Sequence, residues 1–184
     1  MKKVIIGIAV VILIAIIAII FMITGKKEDK PNTQTGVKIE TAQEMQNVMT
    51  SINTKLQDSL PGLEVREIDI TDEFAFSSTT GLKSTNNVEA VIVSEPFINA
   101  QAYSAVMVKV SKDANIEEMK KEMLEGIDMR KWICVSAEKL RITNYEDVIF
   151  LVMSSEEWGK PVYDEFKNVV GGNIGKELEK TEEI

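Results

Sequence analysis

An α+β fold is predicted for this chain: a mostly antiparallel sheet with helices packed on one face, preceded by one N-terminal transmembrane helix. Three observations carry that expectation. The twenty residues from Val4 to Ile23 contain no charged or strongly polar side chain. Beyond residue 40, stretches rich in β-branched residues alternate with stretches of helical periodicity. The links between neighbouring strand-like stretches are short, which favours antiparallel hairpins over parallel crossovers.

At about 1.5 Å per helical residue, Val4 to Ile23 would span roughly 30 Å, the thickness of a bilayer's hydrocarbon core. A cleaved signal peptide has a shorter apolar core, about 7 to 15 residues, and ends in small residues at a cleavage site. Here the run ends Phe21-Met22-Ile23-Thr24-Gly25. No cysteine follows it to accept a lipid, because the single cysteine is Cys134. Residues 1–3 therefore read as a short tail and 4–24 as a retained helix whose partner is the lipid bilayer. Its small residues, Gly7, Ala9, Ala15 and Ala18, form no G-x-x-x-G seam, so it reads as a tether rather than a dimerisation device. Lys2 and Lys3 on one side nearly balance Lys26, Lys27 and Lys30 on the other. The export-like Met-Lys-Lys start favours an N-terminus inside and a domain outside the cytoplasm.

Residues 25–39, rich in Pro, Gly, Asn, Thr and charge, read as a flexible tether, and residues 40–172 as one globular domain. Thr41-Ala42-Gln43-Glu44 matches a capping box, in which threonine and glutamate side chains satisfy exposed amides at a helix start. Met45, Val48, Met49, Ile52, Leu56 and Leu60 mark the face of that helix, and Pro61-Gly62 stops it. Leu63 to Ile70 has strand composition with a slip in its alternation, the mark of a bulge or an edge strand. Phe74 and Phe76 anchor a strand or packed loop in a polar stretch. Val88 to Ser94 and Ala102 to Val110 form the clearest strand pair, with Pro96 ending the first.

Asp113 caps a helix reaching Asp128 with Ile116, Met119, Met123, Leu124 and Ile127 inward. Trp132 to Ala137 reads as a strand with Cys134 in its interior. Leu140 to Thr143, a turn at Asn144 to Asp147 and the strand Val148 to Met153 follow. The last helix places Val162, Phe166, Val169 and Val170 inward, Pro161 in its first turn, and stops at Gly171-Gly172. Residues 173–184 read as an acidic C-terminal tail. Two strands followed by a helix occur twice, which leaves a two-fold ββα repeat open.

Charge and composition exclude several function classes. The chain has 21 basic and 29 acidic residues; removing the five lysines and two acids of the first 36 leaves 16 and 27, a net charge of −11 for the remainder. Such a surface repels nucleic-acid phosphates and anionic head groups, so no nucleic-acid partner is expected. There is no histidine, which removes Ser-His-Asp, Cys-His and H-E-x-x-H sites. Gly171-Gly172-Asn173-Ile174-Gly175 follows a helix, not the strand a dinucleotide loop requires. Asp69, Asp72 and Glu73 lack calcium-loop spacing, Glu117, Glu118, Glu122 and Glu125 alternate with lysines on a helix surface, and Glu146 and Asp147 are turn formers. No metal or cofactor is expected. A Ser-Lys dyad using Ser94, Ser104, Ser136, Ser154 or Ser155 has no local signature, and the apolar neighbours of Cys134 argue against a reactive thiolate.

One segment has the composition of a recognition loop. Ser94 to Ser104 sets Glu95, Phe97, Asn99, Gln101 and Tyr103 in a hairpin connection longer than a tight turn, and aromatic and amide side chains in such a place favour binding an envelope protein or a small ligand. The alternative is that Phe97 and Ile98 plug the end of the sheet.

The stretch Val91 to Val110, with Met129-Arg130-Lys131-Trp132-Ile133-Cys134-Val135 and Val148 to Ser155, resembles a family of uncharacterised extracytoplasmic domains of low-GC Gram-positive bacteria, membrane-tethered or lipid-anchored. The resemblance covers residues 40–172 and implies no catalytic residue. This chain departs from it in lacking a lipobox cysteine. The function expected is a single-pass, membrane-tethered extracytoplasmic domain that binds a partner or organises the envelope without catalysis. An envelope enzyme using carboxylate or Ser-Lys chemistry and a cation-binding module are the alternatives.

Overall fold

The computed structural model describes residues 37–182. The expectations for residues 1–36, the span from Val4 to Ile23 included, lie outside the described residues. Among the described residues no helix is long and apolar enough to cross a membrane.

Six strands form one antiparallel sheet: β1 (Leu63–Glu67), β2 (Val88–Pro96), β3 (Tyr103–Val110), β4 (Lys139–Tyr145), β5 (Val148–Ser154) and β6 (Leu178–Thr181), in the order β1-β2-β3-β5-β4-β6. Four helices accompany them: α1 (Ala42–Lys55), α2 (Glu73–Thr80), α3 (Ile116–Gly126) and α4 (Glu156–Val169). The α+β class and the antiparallel sheet agree with expectation.

The placement of the helices does not. They cover both faces of the sheet instead of one. On one face Phe76 of α2 and Met123 of α3 pack with Val91, Val93, Val106, Val108, Ile149 and Leu151. On the other, Met45, Met49 and Ile52 of α1 and Val162 and Phe166 of α4 pack with Ile92, Ala105, Met107, Phe150 and Val152. The cause is the composition of the central strands: every residue of β3 and of β5 is buried, and a strand with both sides apolar must be covered on both. This also removes the two-fold ββα repeat, since α3 and α4, each following a hairpin, lie on opposite faces.

The capping box at Thr41 forms as predicted: Thr41 Oγ1 accepts from the Glu44 amide at 3.2 Å, and Glu44 Oε2 accepts from the Thr41 amide at 2.9 Å. Ile39, assigned by sequence to the tether, is instead core, because the backbone there bonds to α4 through the Val37 amide and the Val169 carbonyl at 3.3 Å. β1 is the outermost strand on its side, in keeping with its broken alternation. Residues 73–80 form a helix capped by the Asp72 carboxylate, which accepts from the Ala75 amide at 2.9 Å. Of its two phenylalanines only Phe76 is buried. The following helix is capped by Asn115 rather than Asp113 and ends at Gly126. Pro161 lies inside α4, beyond the first turn.

Two expected features are absent. Trp132 to Ala137 forms no strand: residues 127–138 run as an irregular loop, and Cys134 is exposed with φ of 60° instead of lying in a strand interior. Residues 178–181, expected within an acidic tail, form β6 against β4, where Glu179 meets Lys139 at 2.7 Å and also pairs with Arg141 at 3.4 Å. Opposite charges on neighbouring strands turn the acidic segment into an edge strand.

The junction of α2 and α3 requires two glycines. Gly81 adopts φ of 76°, and a Cβ at Gly126 would stand 2.1 Å from the Gly81 carbonyl oxygen. Gly126→Ala should lower unfolding free energy by about 2 to 3 kcal/mol, as overpacking does. A Gly126→Ala protein with an unchanged urea midpoint would disprove the close approach.

Candidate functional site

β2 and β3 end side by side. One residue beyond the Ser94–Ala105 pair, Glu95 and Ser104 become cross-strand neighbours on the α2/α3 face. Arg66 reaches Glu95 from β1, and Lys131 reaches it from the 127–138 loop. Ser104 Oγ donates to Glu95 Oε1 at 3.0 Å, Lys131 Nζ donates to the same oxygen at 2.7 Å, and Arg66 Nη2 donates to Oε2 at 2.9 Å. Lys131 Nζ also lies 5.4 Å from the Trp132 ring centre, a cation–π distance.

The loop that delivers Lys131 is pinned at several points. Ala137 N–H donates to the Met129 carbonyl at 2.8 Å, Glu138 N–H to the Ser154 carbonyl at 3.1 Å, and Ile133 N–H to the Asn99 carbonyl at 3.1 Å. Arg130 is held by Glu182, just past β6, with its Nε donating at 2.5 Å. The loop and the β2–β3 connection therefore form one surface, although 36 residues separate Glu95 from Lys131.

Between them lies a cleft of about 370 Å³, with Arg66, Glu95 and Lys131 in its wall and Phe74, Ile98 and Asn99 at its margin. The margin is unusual for its exposed apolar groups. Phe74 is 82%, Phe97 72%, Ile98 64% and Ile133 64% accessible, and these four are the most exposed large apolar side chains among the described residues. Phe74 and Ile98 border the cleft, Phe97 follows Pro96 of its wall, and Ile133 follows Trp132 of its wall.

Burial of Glu95 acts to raise its carboxyl pKa. The charge and hydrogen bond of Lys131, the hydrogen bond from Ser104 and the charge of Arg66 outweigh that, and hold the group below its ordinary value of 4.5. A depressed folded-state value means that the ionised group contributes stability in full above the ordinary value, and that this contribution disappears as pH falls through the folded value. Glu95→Gln should therefore flatten the acid limb of a stability-versus-pH curve below about pH 4.5. Thermal melts from pH 3 to 7 that superpose in shape for both proteins would contradict this.

Ser104 and Lys131 are not arranged as a catalytic pair. Lys131 Nζ is 3.4 Å from Ser104 Oγ, the spacing of a Ser-Lys pair. A general base needs a free lone pair, whereas this nitrogen donates to a carboxylate. Ser104 is also fully buried, so no substrate carbonyl can reach its oxygen. The acids considered for cations have structural partners: Asp69 accepts from the Thr71 amide and hydroxyl at 2.9 and 2.7 Å, and Asp72 caps α2. Among the described residues no group of three or more His, Cys, Asp or Glu side chains converges to hold a metal.

Of the five residues expected from sequence, Glu95 stands at the centre of the cluster, Asn99 lines the cleft, and Phe97 is exposed next to the lining residue Pro96. Gln101 is half-buried, its carbonyl accepting from the Tyr103 amide at 2.9 Å, and it does not line the cleft. Tyr103 departs from expectation: it opens β3 and is buried on the opposite face, with α1 and α4, because alternation sends it away from Ser104. Sequence reasoning missed Arg66, Lys131 and Ile133, and read Phe74 as the anchor of a strand or packed loop, whereas it is exposed; Trp132 is a buried core residue that also lines the cleft. A run of exposed apolar residues flanked by Arg130-Lys131 was the available signal, and its strand-like composition concealed it. No protein-family model, curated protein or solved structure matches the chain.

Proposed function

We propose that this chain is a single-pass, membrane-tethered extracytoplasmic domain that binds another protein of the envelope through the cleft margin and performs no catalysis. It belongs, on this reading, with the tethered domains it resembles. Exposed Phe74 and Ile98 on one cleft, with exposed Phe97 and Ile133 next in sequence to its wall residues Pro96 and Trp132, carry the proposal. Single exposed apolar side chains are ordinary on any protein, but several such groups gathered at one cleft with charged residues in its wall favour a contact surface. The occupant is a protein presenting apolar side chains, because a net charge of −11 over residues 37–184 repels the anionic surface of a bilayer. The charged cluster beneath the rim fixes orientation, and the apolar rim supplies the desolvated contact. The apolar run from Val4 to Ile23, long enough to cross the hydrocarbon core, supports the tether.

A photo-crosslinking side chain placed at Phe97 of the full chain in intact cells should yield one discrete adduct. Ile133→Asp should abolish it, and a crosslinker at Lys121, on the exposed charged side of α3, should not form it. Identical adducts from positions 97 and 121, or no adduct at 97, would remove the proposal. Protease digestion of the domain in intact cells, and not only after lysis, is expected if it lies outside the cytoplasm.

A further inference from the structure

The outer edge of β1 is a second surface, separate from the cleft margin. Phe97 N–H donates to the Gly62 carbonyl at 3.3 Å and Ile68 N–H donates to the Val91 carbonyl at 2.9 Å, at the two ends of the β1–β2 ladder. Antiparallel pairing alternates, so the even-numbered residues between them face β2. The N–H and C=O groups of Leu63, Val65 and Glu67 consequently point away from the sheet. Among the described residues no strand lies beyond β1.

We infer that β1 is a homodimerisation edge, pairing antiparallel with β1 of a second copy of this chain about a two-fold axis at Val65. The sequence Leu63-Glu64-Val65-Arg66-Glu67 is complementary to itself in that register. Val65 meets its own counterpart, and the outward groups of Leu63, Val65 and Glu67 form roughly six backbone hydrogen bonds with the second strand. Glu64 then stands directly across from the partner's Arg66, at the close spacing of a non-hydrogen-bonded pair, and symmetry repeats the contact.

Charge is what selects a second copy as the occupant. Within one molecule Glu64 is across from Glu95, a like charge, and it has no ion-pair partner among the described residues. Self-pairing gives it a cation and lets each Arg66 bridge two carboxylates. Charged side chains blunt an edge strand when self-association would bring like charges together. Here self-association brings opposite charges together.

The flank of the edge is suited to the same partner. A groove of about 450 Å³ runs between β1 and α1, lined by Leu60, Leu63 and Val65 on one side and Thr50, Asn53 and Gln57 on the other. Helix α1 has only Glu44 and Lys55 as charged residues in its 14 positions. The two-fold axis sets both copies of α1 on one face beside the seam, where neutral side chains cost less to desolvate than charged ones.

The test is the mass of the full-length protein purified in detergent, by light scattering with the detergent contribution subtracted. The wild type should be dimeric at micromolar concentration. Val65→Pro removes an N–H that faces away from β2 and should give a monomer that still unfolds in one cooperative transition. Glu64→Arg should weaken the dimer at least tenfold, as should Arg66→Glu, and the double exchange E64R/R66E should restore it. A monomeric wild type, or a dimer that survives both Val65→Pro and Glu64→Arg, would overturn the inference. So would a double exchange that stays monomeric while unfolding as cooperatively as the single exchanges.

Discussion

Phe150→Ala is expected to reduce unfolding free energy by about 3 to 5 kcal/mol, the cost of emptying a fully buried aromatic site. Phe150 lies in the middle of β5 and stacks on Phe166 of α4, with ring centres 4.1 Å apart, and on Tyr163 at 6.2 Å. Few changes would remove as much packing, because one side chain joins the central strand to the helix that covers it. Urea unfolding is the measurement, and a shift below about 1.5 kcal/mol would show that the site collapses around the loss. The same variant should leave the cleft margin intact while folded, since Phe150 points to the face away from Glu95.

Lys120→Met should destabilise by about 2 kcal/mol, for a different reason: a fully buried lysine would lose the charge-assisted hydrogen bonds it donates to two partly buried acceptors. Lys120 is fully buried, and its ammonium donates to Asn144 Oδ1 at 2.8 Å and to the Lys176 carbonyl at 2.7 Å, with Glu117 at 2.5 Å. Glu117 is half exposed and can recover water. These contacts hold the approach to β6, and Glu182, just beyond β6, holds Arg130 of the loop that carries Lys131. Loss of Lys120 should therefore raise hydrogen exchange at residues 174–182 and at 129–135 together. Faster exchange in only the first of these segments would disconnect the two.

Much of this architecture was legible because its signals are local. The β2–β3 and β4–β5 hairpins follow from β-branched runs broken by Pro96 and by Glu146-Asp147, and α1 follows from Thr41, Glu44 and the spacing of Met45, Met49 and Ile52. What failed depended on tertiary context. The runs Val91-Ile92-Val93 and Val148 to Met153 are apolar at successive positions, a pattern that signals burial on both faces. Reading them as one-sided strands put the helices on one face. Trp132-Ile133-Cys134-Val135 has the composition of a strand but lies in a loop fixed by Asn99, Ser154 and Glu182, none of them local. β6 was hidden in the same way, since its acidic residues make sense only beside Lys139 and Arg141.

The candidate cluster around Glu95 was half legible. Glu95, Phe97 and Asn99 stand out within eleven residues of sequence, because a long hairpin connection concentrates aromatic and amide groups. Arg66 and Lys131 join them only through strand order and through the course of the 127–138 loop. Tyr103 shows the limit of the loop reading. A residue at the first position of a strand belongs to whichever face alternation assigns, and this one belongs to the core.

The left-handed turn at Cys134 makes the chain its own topology reporter. It lifts the protein's single thiol into solvent, two residues from the tryptophan that walls the cleft. A maleimide too polar to cross a bilayer would modify this one position in intact cells if the domain faces outward, and would need lysis if it faces inward. The same attached dye, once read for brightness and mobility, would register whatever comes to rest against the rim, with no residue altered to install it.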